Sequence, residues 1–205
     1  MSRTCKTFWL FVVFIYWGCH ISAQKKSFAE GYIIKKEGDT IYGLIKDRSS
    51  EPFVSLYTKV RFKEGGRART KKYNPDAILG YGYRELHFLS IPLRAESNFF
   101  RLRYYSDAKA ASVFLKVLAT SEKLMYFERL FVHDDNNSID AFPLFYRPGS
   151  KEMVRVTQGI FGSNRKRLAD YFSDCPALVK AITKTNSNIR TVPELYEYLT
   201  DHCKL

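Results

Sequence analysis

The sequence predicts an α+β chain: a mostly antiparallel β-sheet, with an open barrel as one way to roll it, followed by a small C-terminal α-helical unit. Three observations lead to this class. Aromatic residues make up 16% of the chain, rich in Tyr and Phe, which suit a pleated surface. Short apolar runs punctuated by Gly, Pro, Asn and Asp recur from about Phe28 to Phe161. From Ser163 onward the apolar spacing becomes that of a helix. The expected organisation is a leader over residues 1–23, a β-rich domain over 24–162 and a helical unit over 163–205.

The leader has three parts. Arg3 and Lys6 make a positive start, Phe8 to Trp17 is an unbroken apolar run, and Ser22-Ala23 offers a cleavage site before Gln24. The run is shorter than the ~20 apolar residues a spanning helix needs. The sequence therefore predicts an exported protein with a cleaved signal peptide. An uncleaved anchor and lipid attachment at Cys19 are the competing readings; Gly18 suits the second, Tyr16 and Trp17 do not. The rest of the chain is long enough to bury a core. With 45% apolar and 26% charged residues it has a globular composition, which excludes a disordered chain.

Each β element has a local reason. Tyr32 to Ile34 and Ile41 to Ile45 read as a hairpin around Glu37-Gly38-Asp39, with Gly38 supplying a positive φ. Gly31 and Gly43 flank it and suggest bends or close backbone approach. Val54, Leu56, Val60 and Phe62 mark strand pieces, Gly65-Gly66 a turn, and Asn74-Pro75-Asp76 a second turn. Residues 77–93 read as one or two strands interrupted by Gly80 and Gly82, and 98–105 as another. Residues 113–133 read as two strands around Thr120-Ser121-Glu122-Lys123. Ile139 to Arg147 follows, then a Pro148-Gly149 turn and a last strand over 153–161.

In the helical part, Leu168, Tyr171 and Phe172 share a face. Asp174 is the expected cap of a second helix that carries Pro176 in its first turn and Leu178, Val179 and Ile182 on one side. Thr191-Val192-Pro193-Glu194 is a capping box, and Leu195, Tyr198, Leu199 and His202 follow on one side. Signal cleavage leaves Cys175 and Cys203. Two cysteines in an oxidising compartment invite one disulfide; two buried free thiols are the alternative. A bridge closing a loop of about 28 residues stabilises by about 3–4 kcal/mol on a chain-entropy view.

Two stretches carry a resemblance. Gly31, Tyr32, Ile33, Gly38, Asp39, Thr40 and Gly43, and later Tyr171, Phe172, Asp174, Cys175 and Pro176, resemble segments of uncharacterised exported proteins of Bacteroides-group bacteria. The resemblance implies placement in the cell envelope and no catalytic activity.

The formal charge is +12. Such a balance draws a protein toward anionic lipid, acidic polysaccharide or nucleic acid, and export makes nucleic acid the least expected partner. The densest basic segment carries Lys63, Arg67, Arg69, Lys71 and Lys72 with one acid, Glu64, and is the candidate anion-binding site; a solvated loop is the plain alternative. Arg165, Lys166 and Arg167 form a second cluster.

Motifs for chemistry fall short. Asp134, Asn136, Ser138 and Asp140 alternate as in a calcium loop, but Ile139 stands where glycine belongs and Phe145 where the bidentate Glu belongs. His87, His133 and His202 have no metal-ligand spacing. His133 and Asp134 are strand neighbours, which point to opposite faces. Ser163 lacks a nucleophile-elbow motif. Cys175 at a helix start is a candidate low-pKa thiol, with disulfide pairing preferred. No metal, cofactor or catalytic set is expected.

Three readings follow. The first is a non-enzymatic envelope protein that binds another protein or an anionic surface polymer. The second is a hydrolase with dispersed catalytic residues. The third is an anion-binding module acting on lipid head groups or lipopolysaccharide.

Overall fold

The computed structural model describes residues 28–46, 58–98, 101–132, 139–156, 165–183, 189–203 and 205. The leader and the Val54 and Leu56 strand pieces lie outside the described residues. The elements are β1 (Phe28–Lys35), β2 (Thr40–Lys46), β3 (Val60–Lys63), β4 (Lys71–Tyr73), a 3-10 turn (Pro75–Ala77), β5 (Ile78–Tyr83), β6 (Leu86–Asn98), β7 (Arg101–Ser106), β8 (Ser112–Thr120), β9 (Met125–Val132), β10 (Ile139–Tyr146), β11 (Glu152–Arg155), α1 (Arg165–Tyr171), α2 (Pro176–Thr183) and α3 (Val192–Cys203).

The strands form an antiparallel 11-stranded sheet in the order β4-β3-β2-β1-β5-β6-β7-β11-β10-β9-β8, and β8 pairs again with β6. That last pairing closes β6, β7, β11, β10, β9 and β8 into a 6-strand barrel, with β1 to β5 as outer strands. The α+β class holds, and the barrel is closed rather than open. Closure depends on β6, whose 13 residues run without a break. Residues from His87 to Pro92 pair with β8, and residues from Leu93 to Asn98 pair with β7. One strand thus joins both ends of the ring.

Side-chain alternation then sorts the apolar residues. On β9, Phe127 lies in the cluster with Leu115, Phe142, Leu144 and Met153, while Tyr126 joins the cluster under the helices. On β10, Phe142 and Leu144 separate from Phe145 in the same way, and on β11 Met153 separates from Val154. A period of two places alternate residues on opposite faces. On β6 and β8, Phe88 and Phe114 instead enter a third cluster with Ile33, Ile45, Phe62 and Tyr81 from the outer strands. There Tyr81 stacks on Phe88 at 4.5 Å and meets Phe114 edge-on at 4.9 Å.

The β1–β2 hairpin forms as expected, with Gly38 at φ 97° and its N–H donating to the Lys35 carbonyl. Gly80 and Gly82 do not interrupt a strand. Both lie within β5, and the chain reverses at Arg84, which takes φ 52°. Gly82 is needed inside the strand because a Cβ there would come within 2.7 Å of the Tyr32 ring on β1. A Cβ on Gly31 would overlap the Gly82 carbonyl, so the pair allows close approach rather than a bend.

The helices cover one side of the barrel. Leu168, Phe172, Leu178, Ile182, Leu195 and Leu199 are buried against Leu124, Phe145, Val154 and Val156. Each such side chain contributes about 1.5–3 kcal/mol of apolar burial. Polar contacts fix the seat of α1. Arg167 donates to the Leu102 carbonyl at 2.7 Å and to Glu152 at 3.0 Å. The Tyr171 hydroxyl accepts from the Arg147 N–H and donates to the Glu152 carbonyl.

Asp174 does not cap α2. The Leu178 N–H is met by Cys175 Sγ at 3.4 Å, and Asp174 takes a two-pronged bond from Arg147 at 2.9 and 2.6 Å. The guanidinium recruits the carboxylate across to the β10–β11 turn. The capping box on α3 forms in both directions: the Glu194 N–H donates to Thr191 Oγ1, and the Glu194 carboxylate accepts from the Thr191 and Arg190 N–H groups.

Cys175 and Cys203 form a disulfide with Cα atoms 5.4 Å apart, joining the start of α2 to the end of α3. Two predictions follow from this helical cover. Replacing both cysteines by serine lowers unfolding free energy by about 3–4 kcal/mol on the loop-entropy scale, read by urea titration; the unmodified protein, denatured without reductant, shows no titratable thiol from this pair. The hydrogen bond from Arg147 holds the Asp174 pKa below the ordinary aspartate value that the unfolded chain has. The pair therefore stabilises fully above that pH and the contribution is lost as pH falls through the lower folded value. Asp174→Asn is expected to cost about 1 kcal/mol at neutral pH, since the carboxylate is half exposed, and the difference from wild type shrinks below pH ~4.

Candidate functional site

The five cations singled out in the sequence lie on one hairpin at the edge of the sheet. Lys63 ends β3, Lys71 and Lys72 begin β4, and Arg67 and Arg69 lie in the turn between them. The turn is polar, contains Gly65-Gly66, and is exposed from Gly66 to Thr70. The cations are not equivalent. Lys63 is tied down: its ammonium donates to the Gly66 carbonyl at 3.3 Å and lies 4.3 Å from the Phe28 ring centre. Lys71 pairs with Glu64 at 3.0 Å, a bond that raises its pKa. Arg67, Arg69 and Lys72 are exposed and have no ion pair among the described residues. Register places Lys72 opposite Arg61, which adds a cation to the same face.

A second cationic group went unnoticed in the sequence. Arg129 on β9 lies opposite Phe142, and Arg155 on β11 lies opposite Leu144. Phe142 and Leu144 belong to the barrel's inner cluster, so both arginines start from the inner face. The Arg155 guanidinium lies 4.2 Å from the Phe142 ring centre, and that of Arg129 lies 5.8 Å from the same ring and 5.6 Å from Tyr104. Tyr104 and Phe142 pack at 5.2 Å. Both arginines are half-buried. Burial pulls the Arg129 pKa down; Tyr104 opposes this and the nearby Arg155 charge adds to it.

A signal for this pair existed. Arg129 alternates with Phe127 and Phe131, so it stands on the apolar side of its own strand. A charge at that parity is unusual where the apolar side faces a core.

The other sequence candidates scatter. Arg167 of the second basic cluster is spent on seating α1, as described above. His87 on β6 accepts or donates at Nδ1 to the Tyr32 hydroxyl at 2.8 Å. His202 stacks on Tyr198 at 4.2 Å. Asp140 is the second residue of β10, where its carboxylate accepts from the Ala141 N–H at 2.7 Å. β6 and β10 do not pair with each other. His133, Asp134, Asn136, Ser138 and Ser163 lie outside the described residues. Among the described residues no group of three His, Cys, Asp or Glu is placed to hold a metal ion. Cys175 is oxidised. No described helix is long and apolar enough to cross a membrane.

Comparison with family models, with curated proteins and with solved structures yields no match to this chain. The reading of function therefore rests on the chain's own residues.

Phe142 is the ring that both guanidiniums share. Phe142→Ala is expected to cost about 3–5 kcal/mol in urea unfolding, from lost burial and the cavity left behind. Phe142→Leu keeps most of the burial and is expected to cost less than half as much.

Proposed function

We propose that this chain is an exported, non-enzymatic envelope protein that holds an anionic surface, the phosphate-bearing head groups of lipid or lipopolysaccharide, with its β3–β4 hairpin. The observation that carries this reading is the state of Arg67, Arg69 and Lys72: exposed, on one edge hairpin, and without an acidic partner among the described residues. Arg61, Lys63 and Lys71 surround them, and Glu64 is the one acid in the segment.

A tethered, folded hairpin presents these charges together, so one anionic surface meets several at once. Arginine suits phosphate oxygens because its planar fork donates two parallel hydrogen bonds. The leader pattern and the Cys175–Cys203 disulfide support an oxidising compartment outside the cytoplasm, where such head groups are found. The resemblance to exported Bacteroides-group proteins points the same way.

The test is charge reversal at Arg67, Arg69 and Lys72 together. Retention on vesicles of anionic lipid or on lipopolysaccharide is expected to fall at least tenfold and to lose its dependence on salt. Thermal stability stays within about 0.5 kcal/mol of wild type, because the three side chains are on the surface. Retention equal to wild type at low salt would sink the reading.

A further inference from the structure

We propose that Arg129 and Arg155 form a phosphate-monoester site on the inner face of the barrel, separate from the basic hairpin. The argument begins with a charge imbalance. Two guanidiniums share one aromatic ring, on strands β9 and β11 that flank β10. Neither has a carboxylate partner among the described residues. The Arg155 Nε atom is buried with no hydrogen-bond partner.

Arginine has no neutral form to retreat to at any ordinary pH. A buried lysine escapes by losing its proton; this pair keeps both charges. The ring quadrupoles of Phe142 and Tyr104 offset part of the cost but supply no counter-charge. A bound anion would supply it.

The chemistry selects the anion. A single carboxylate neutralises one of the two charges. A phosphate monoester carries close to two negative charges at neutral pH and enough oxygens for both forks. The wall beside the pair is aromatic, built from Tyr104, Phe131 and Phe142. Such a wall suits an apolar or sugar-ring substituent on the ester. Both arginines are half-buried rather than sealed, so the site is open to exchange with solvent.

The experiment uses the exported chain with its disulfide intact. Inorganic phosphate is titrated by calorimetry at constant ionic strength against chloride. Wild type is expected to bind phosphate saturably at one site, with a rise in thermal midpoint that chloride does not produce. Arg129→Met and Arg155→Met each weaken phosphate binding at least tenfold. Without phosphate these variants melt at or above wild type, because an apolar side chain replaces an unpaired cation in an apolar wall. Should a methionine variant fail to fold, Arg155→Lys decides in its place: it keeps the charge, loses the fork, and is expected to weaken binding severalfold.

Phosphate that acts no differently from chloride on wild type overturns the proposal. So does a methionine or lysine variant that binds as wild type does. The hairpin triple variant serves as the control, since it leaves this site intact and is expected to keep wild-type phosphate affinity; the two readings thus fail independently. Competition then separates the sources. Release of bound phosphate by phosphatidic-acid vesicles assigns a lipid head group, release by a soluble sugar phosphate alone assigns a soluble ester, and release by neither leaves the free ion as ligand.

Discussion

Ring closure by β6 is the constraint from which the rest of the architecture follows. The strand has to serve β5, β8 and β7 within 13 residues, and it does so by giving β8 and β7 consecutive stretches. Without the β6–β8 pairing the sheet would be an open ribbon with β8 as a free edge. With it, the inner face of six strands becomes an enclosed core, and parity sorts side chains inside or outside except where the β8 register shifts between Val117 and Ala119.

That assignment divides the apolar residues into three clusters with different work. The inner cluster lines the barrel's inner face. The outer-strand cluster joins β1, β2, β3 and β5 to the barrel through Phe88 and Phe114. The third would be an exposed aromatic and aliphatic patch on β9, β10 and β11 were it not covered by the helices. The disulfide and the Arg147–Asp174 and Arg167–Glu152 contacts hold that cover in place at both ends. A register slip of one residue on β10 would exchange Phe142 and Leu144 for Phe145, mixing the inner and outer clusters. The same slip would turn the two inner arginines relative to the ring they share.

The two cationic sites illustrate different ways a sequence displays function. The hairpin site is local: its charges are close in the chain, so a charge run reveals it, and the structure adds which members are already tied to a partner. The barrel pair is non-local. Arg129 and Arg155 lie on different strands with β10 between them in the chain, and each looks like an ordinary surface arginine when read alone. Only the pairings of β10 with β9 and β11 bring them to one ring. The alternation with Phe127 and Phe131 marked Arg129 as a charge on an apolar face, but that mark has meaning only once a face is known to be enclosed.

The sequence by itself determined what depends on near neighbours. These features include the Gly38 turn, the switch from sheet to helix period, the Thr191–Glu194 capping box and the basic segment from Lys63 to Lys72; the pairing of Cys175 with Cys203 was one of two options until the helices placed them together. Each of the local features rests on dihedral preference, periodicity or a run of charge. Tertiary structure decided what depends on distant partners competing for the same group. It ran β6 without a break through Pro92, and it kept Gly80 and Gly82 inside β5, Gly82 because the Tyr32 ring needed the room. It also moved Asp174 from a helix cap to Arg147, since a guanidinium offers a carboxylate two charged donors where a helix start offers neutral N–H groups. Enclosure, above all, is not a local property: no segment of this chain encodes an inside until the last strand pairing closes the ring.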